Sequence, residues 1–490
     1  ATLAICKILI ILWYAFNLII VFFYSIIKVK KKWDVLKLSK ILTEEEKLYL
    51  KYFKIIFTVI LFFSYTSSLS AKTKITWWNY SDEGGGLDSN LRELVQDKFN
   101  ASQNEIELEI IFKDGNINDN TRTALLAGVG PDIITSSGSS YVKAYHDAGL
   151  LLSLEKYSKE YGWKDIILPW AYNTGVFDGE FYSFPSNYET MLYFYNKTLF
   201  EENGWKLPTN LKEYEALVQE IRSKGMNAFV YGSSGWQPTH EHLVGNYFNT
   251  YAGPENVYKA LTGEKKWTDP IFVESIELLK KHMLDGYWSG SLENYYAIGW
   301  DDYFSQLTTR KAAMLPIGTW GFGDTIAGFS EISDEFGWSK LPILGNYGGN
   351  PNYQLSIGST MSINAASKFP DEAAKVINWM ISDKKRVVEL TKNLGFGNWL
   401  IPLKYDDKDF SEDIHPSMRD FFIDFSETTG KGDYGYTTWT FYPAEAGSHV
   451  WKEMEVVWAG DISVMEYLEE QQKLWDKARS KNALIPVGKR

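Results

Sequence analysis

From residue 74 onward the hydrophobic pattern keeps changing period, and this narrows the possible folds more than any other feature. The run "ITWW", Ile75 to Trp78, reads as a buried strand. Leu87, Leu91, Leu94, Val95 and Phe99 then recur at helical spacing. Ile106, Leu108, Ile110 and Phe112 alternate with polar or outward-facing neighbours, which predicts a second strand. Thr121 to Ala127 is expected as a short helix stopped by Gly128, and Asp132 to Thr135 as a third strand. Ser139 to Ala148 completes the series as a helix closed by Gly149. Strand and helix in strict alternation imply a parallel sheet covered by helices, because parallel neighbours need a crossover between them.

The pattern resumes after Pro185. Leu192 to Tyr195, Phe229 to Tyr231, "AAMLPIGTW" and Tyr353 to Asn364 read as further strands. "PTNLKEYEALVQEIRSKG" and "FPDEAAKVINWMIS" are capped amphipathic helices, the second with Pro370 in its first turn. Residues 240–310 and the last ninety residues are expected to be largely helical. These are too many elements for one sheet, so two α/β lobes are expected. A chain of 490 residues is long enough for two or three domains.

Composition excludes several classes. A formal charge of −12 argues against nucleic acid as a partner, since phosphate binding needs a basic footprint. One cysteine, Cys6, rules out an intramolecular disulfide framework and a cysteine-based zinc site. Six histidines leave little room for a histidine-rich metal centre, and no cofactor motif is found. Aromatic residues make up 16%, and flat amphipathic rings suit the apolar faces of a ligand as well as a core.

The N-terminal segment is read separately. Ile8 to Ile27 carries no charge and is long enough to span a bilayer, and Lys28, Lys30, Lys31 and Lys32 follow it. A second pattern starts at Lys51. Lys51 and Lys54, the apolar run Ile55 to Phe63, and small residues up to Ala71 have the three parts of a secretory signal peptide at 51–71. Because the first Met is Met191, residues 1–50 are read as a frame translated upstream of a non-ATG start near Leu50; the alternative is a membrane anchor at 8–27. Removing 1–71 leaves 40 basic and 58 acidic residues, a formal charge of −18. An exported, acidic protein without disulfides suits the periplasm or cell envelope of a bacterium, membrane-anchored if residues 8–27 are part of it.

Six stretches of the mature chain, with the export signal before them, carry a family resemblance. They are "ITWWNYSDE", "LLAGVGPDII", "FDGEFYSFP", "LYFYNKTLFEENGWKLPTNLKEYEAL", "RKAAMLPIGTW" and "SIGSTMSINAASKFPDEAAKVINWMIS". "GDISVMEYLEEQQKLWDKA" adds a C-terminal helix. In this order they resemble the extracellular solute-binding proteins, family 1, of ABC importers, the maltose-binding-protein-like group. The resemblance implies a two-lobed, type II periplasmic-binding-protein-like fold. Each lobe would be a mainly parallel sheet flanked by helices, with a hinge and a solute cleft between them. Residues 72–184 and 345–395 are placed in the first lobe, and 185–344 and 396–490 in the second. Crossings are placed near 184–190, 322–345 and 394–400. The implied partners are a carbohydrate solute and the permease subunits of the transporter, the protein acting as a monomer without catalysis. A secreted glycoside hydrolase and a chemosensory solute-binding protein are the alternatives.

Sugars are apolar on their C–H faces and polar at their rims, so rings beside carboxylates and amides are the residues to seek. Trp78, Asn79 and Asp82 leave the first strand at its C-terminal end, where α/β clefts bind. Trp77 and Trp78 point to opposite sides of a strand, so at least one of them is core; Trp78 is assigned to the cleft. Glu189 stands seven residues before Asn196, a spacing at which the resembled family has a sugar-contacting glutamate, and Tyr188 is its neighbour. Trp320 follows "AAMLPIGT", where the family often carries a stacking tryptophan. Trp236 in "SSGW" and Trp399 in "GFGNW" are further platforms or packing residues. Ser136 and Ser137, where the maltose-binding protein carries an aromatic and charged pair, imply a solute other than maltose or a wider cleft.

Three other signals fail. Gly84, Gly85 and Gly86 do not complete a dinucleotide-binding GxGxxG, because Ser89 replaces the final Gly. "HEH" at 240–242 has metal-ligand residue types, but adjacent helical residues do not converge; it is expected at the surface, or as a hydroxyl contact from His240 or Glu241. Asp301 and Asp302 are sequence neighbours and cannot flank a scissile bond.

Overall fold

Strand β1 (Thr73–Tyr80) pairs in parallel with β2 (Ile106–Lys113) on one side and with β3 (Ile133–Ser136) on the other. A computed structural model describes residues 72–80, 87–113, 117–349, 351–394 and 400–490. The signal peptide and the segment before it, like Asp82 and Trp399, lie outside these residues. Alternation along β1 puts Ile75, Trp77 and Asn79 on the buried face and Thr76, Trp78 and Tyr80 on the other. The helical stretch 87–102 contains a π-helical segment, Arg92–Asp97, and buries Leu91, Val95 and Phe99. That stretch also closes the open edge of β2. Gln96, Asn100 and Gln103 accept hydrogen bonds from the backbone N–H of Ile110, Leu108 and Ile106. An edge strand is thereby denied to other chains.

Two helices follow as expected, α1 (Ile117–Leu126) and α2 (Ser139–Asp147). Gly128 and Gly149 adopt the left-handed conformation that ends them. The chain then runs through β4 (Phe184–Glu189) and, after one residue, β5 (Met191–Asn196). These two strands belong to different sheets. Strand β5 lies between β7 (Ala312–Gly318) and β8 (Phe336–Ser339), antiparallel to both, and β6 (Asn227–Phe229) extends this second sheet parallel to β7. Helix α3 (Leu211–Ser223), capped by Asn210, covers it with Tyr214, Leu217 and Ile221.

The long strand β9 (Tyr353–Ile363) returns the chain to the first sheet, where it runs antiparallel to β3 and β4. Helix α4 (Pro416–Gly430) packs Phe421 and Phe425 against Tyr353 and Tyr188. Strand β10 (Tyr434–Tyr436) then joins β9 in parallel. The first sheet has the order β10–β9–β3–β1–β2, with β4 alongside β9. This differs from the expected partition in two places. Residues 185–189 and 434–436, both assigned to the second lobe, pair within the first sheet. Parallel pairing dominates only at β1, β2 and β3. Strand β9 runs antiparallel to β3 and β4, and β5 antiparallel to β7 and β8, while β9–β10 and β6–β7 are parallel pairs.

Tyr188, a candidate for solute contact, is part of the aromatic core. It is 1% exposed, stacks on Phe425 at 4.2 Å and meets Trp170 edge-on at 6.3 Å. Its neighbour Glu189 points to the other face of β4, so the two cannot share one surface. Tyr188→Ala should cost about 3–5 kcal/mol of unfolding free energy in a urea titration of the apo protein. A loss below about 1 kcal/mol would mean that this core closes around the deletion.

Candidate functional site

The site is built where the chain passes between sheets. Glu189 is the last residue of β4, opposite Ser356 of β9. The register slips beside Gly358, and a Cβ there would lie 2.0 Å from Glu189 Oε1. A bulge at glycine therefore makes room for the carboxyl and directs it. Trp439 Nε1 donates to Glu189 Oε2 at 3.2 Å, Ser356 Oγ donates to the same oxygen at 3.4 Å, and Asn187 Nδ2 approaches Oε1 at 3.5 Å. Burial drives the carboxyl up to about 7, and the bonds from Trp439 and Ser356 only partly oppose this.

Trp439 arrives here because β10 enters the first sheet. Asn249 holds Tyr436 by both backbone groups, and the short helix Thr438–Phe441 turns the indole toward Glu189. Trp320 comes from the second sheet, on the turn directly after β7. A Cβ at Gly318 would lie 2.1 Å from its ring, so the indole folds back over the strand end. Trp439 and Trp320 lie 6.2 Å apart, Trp320 and Trp236 5.8 Å, and Trp236 and Trp300 5.6 Å, each pair edge-to-face. All four indoles are half-buried. His242 packs against three of them, at 4.7 Å from Trp439, 5.1 Å from Trp236 and 5.3 Å from Trp320. Its Nδ1 meets Tyr231 Oη at 2.8 Å, and burial and then His240 hold it down at about 3, so it is neutral at physiological pH. Beside Trp300 stands Asp324, an exposed residue whose carboxyl is raised by partial burial and then by Asp301.

The structure thus brings together Trp236, Trp320 and Glu189 from three separate sequence signals. Trp300, Trp439 and His242 were missed. "GYTTWTF" and "AIGWDD" carry no periodic signal that separates platform from packing. The "HEH" helix is not at the surface. All of Thr239–Tyr247 is buried, as the near absence of charge across 239–252 could have suggested. His240 is held by Glu455 at 2.7 Å and Tyr295 Oη at 3.0 Å, and burial alone raises Glu241 to about 8. Among the described residues no group of three or more His, Cys, Asp or Glu could hold a metal.

The remaining candidates divide by strand face. Trp77 is core, its Nε1 donating to Thr135 Oγ1 at 2.8 Å, while Trp78 is half-buried under the Lys113 ammonium at 4.3 Å. Asn79 shares Trp77's buried face, and its Oδ1 takes the N–H of Tyr80. Ser136 is fully buried against Thr360 Oγ1 at 3.2 Å, so it is closed to a solute. Ser137 faces the other way. Its Oγ bonds Tyr80 Oη at 2.5 Å and Asn118 Nδ2 at 2.8 Å, and Tyr80 lies close enough to Glu189 to feel its charge.

Comparison with known proteins places the chain in a family. The profile of the family described as bacterial extracellular solute-binding protein matches residues 81–387. The chain belongs to this family. A "Multiple sugar-binding protein" of Streptococcus mutans is 24% identical over 325 residues, 64% of this chain and 72% of that one. An uncharacterized ABC transporter extracellular-binding protein of Pyrococcus horikoshii is 26% identical over 250 residues, 48% of this chain and 54% of that one. The solved structure of a "Chitin oligosaccharide binding protein" superposes with a TM-score of 0.68 at 18% identity, covering 84% of this chain and 100% of that one. The shared architecture is the type II periplasmic-binding fold. Within this solute-binding protein no described helix is long and apolar enough to cross a membrane.

Glu189 should leave a pH signature on stability. Folded, it keeps its proton up to about 7, whereas the unfolded chain loses it near the usual 4.5. Between those values the unfolded state binds fewer protons, so this group lowers apo stability as pH rises through the window. The difference in urea unfolding free energy between Glu189→Gln and wild type should grow from about pH 4.5 to about pH 7 and then level off. Parallel profiles for the two proteins would show that Glu189 titrates normally.

Proposed function

We propose that this solute-binding protein is the exported, ligand-capturing component of an ABC importer and that its solute is a carbohydrate. The observation that carries this is the half-buried run of Trp439, Trp320, Trp236 and Trp300, drawn from both sheets, with Glu189 at its end. Indole faces suit the C–H faces of sugar rings, and the carboxyl suits their hydroxyls. Successive rings favour an oligosaccharide over a single sugar. The names of the relatives, a multiple sugar-binding protein and a chitin oligosaccharide binding protein, support the same class. Binding without turnover fits Asp302, whose carboxylate is engaged in capping Gly299 at 3.1 Å. Solute that touches both sheets stabilises the closed arrangement, which a permease then recognises.

Calorimetry against an array of mono- and oligosaccharides should find a binder. Trp320→Ala and Trp439→Ala should each weaken it by about tenfold or more, the loss of one stacking platform. Gly358→Ala should also weaken it, because the new methyl occupies the place of the Glu189 carboxyl. Heat from a peptide or polyamine, with a silent sugar array, would overturn the reading.

A further inference from the structure

Among the described residues the carboxylates of this site have no cationic partner. Glu189 is met by an indole, a hydroxyl and an amide at 3.2–3.5 Å, all neutral donors at the long end of the range. Asp324, beside Trp300, is exposed and lies close enough to Asp301 to be repelled by it. Among the described residues, none of Glu189, Asp301 and Asp324 takes part in an ion pair. Lys113, the cation at the end of β2, lies over Trp78 and not on these carboxylates. His242, the basic side chain packed into the rings, is neutral.

Indole faces carry negative potential and attract cations. A buried carboxylate beside them, without a counter-charge, keeps an uncompensated desolvation penalty. Its ionised form becomes favourable when a positive charge arrives. A second carboxylate would instead add repulsion. The four indoles follow one another edge-to-face at 5.6–6.2 Å, three of them gathered around His242, with Glu189 beside Trp439 and Asp324 beside Trp300.

We infer that the solute is a saccharide bearing protonated amines, a glycosamine or glycosamine oligomer, and that Glu189 selects it over neutral and uronic-acid analogues. This rests on the carbohydrate reading above and narrows it. The ammonium donates to the Glu189 carboxylate in a charge-assisted bond, while the sugar rings lie on the indoles.

The test uses three matched series: glucose, glucosamine and glucuronic acid, each with its β-1,4-linked dimer to hexamer. Tryptophan fluorescence and calorimetry at about pH 7 keep much of an α-amino-like amine protonated. The amine series should bind about tenfold tighter than the neutral one, and the uronate series weakest. In Glu189→Gln the ratio of amine to neutral affinity should fall toward one, and Asp324→Asn should reduce the same ratio. Equal or tighter binding of the neutral or uronate series overturns the inference, as does an undiminished amine preference in Glu189→Gln. Binding confined to some other neutral sugar of the wider array also overturns it, leaving the carbohydrate reading intact. Silence of the whole array removes that reading and this inference together.

Discussion

The three residues Glu189, Thr190 and Met191 are the constraint on which the rest depends. Strand β4 ends at Glu189 in one sheet, and β5 begins at Met191 in the other. Thr190 between them is fully buried. Its carbonyl accepts the N–H of Thr319 at the end of β7, and its hydroxyl accepts the N–H of Gln354 near the start of β9. Three passages of the chain are thereby tied to one residue. Glu189 sits one position before that tie, and Trp320 one position after Thr319. The backbone connection thus brings their chain segments together, and Trp439 lies against both side chains.

Electrostatics at this point are set by exclusion of water more than by ion pairs. Burial raises Glu189 to about 7 and Glu241 to about 8, and it lowers His242 to about 3. The ion pairs are placed elsewhere, as at Arg310 with Asp334, at the opposite end of β7. A region of buried carboxyls, indoles and a neutral imidazole is chemically specific because it lacks mobile counter-charge. In the inference drawn above, the solute supplies the positive charge that these described residues do not.

Much of the chain could be read without the structure. The alternation from β1 through α2 is local, and the observed elements fall within a few residues of their expected positions. The candidate site was legible as pairs of neighbours rather than as single residues. Trp77 and Trp78, Ser136 and Ser137, and Tyr188 and Glu189 each straddle a strand. In each pair one side chain is core and the other is turned away from it. Alternation sends the two members to opposite faces, but which of them is core depends on what distant elements cover each face. Tyr188 is core because Phe421 and Phe425, more than two hundred residues later, pack on its side of β4.

Local pattern alone accounts for the strands, their helices, the glycine stops and the α/β class, because backbone propensity and hydrophobic period act over a few residues. Glu189 and Trp320 were singled out by the family resemblance of the stretches around them, not by local pattern. Only packing could bring Trp439 against Glu189 across 250 positions, or bury the "HEH" helix among indoles. Those outcomes depend on β10 entering the first sheet and on which faces the two sheets offer each other. No short window of residues encodes such a contact, since its energy exists only once both sheets have formed.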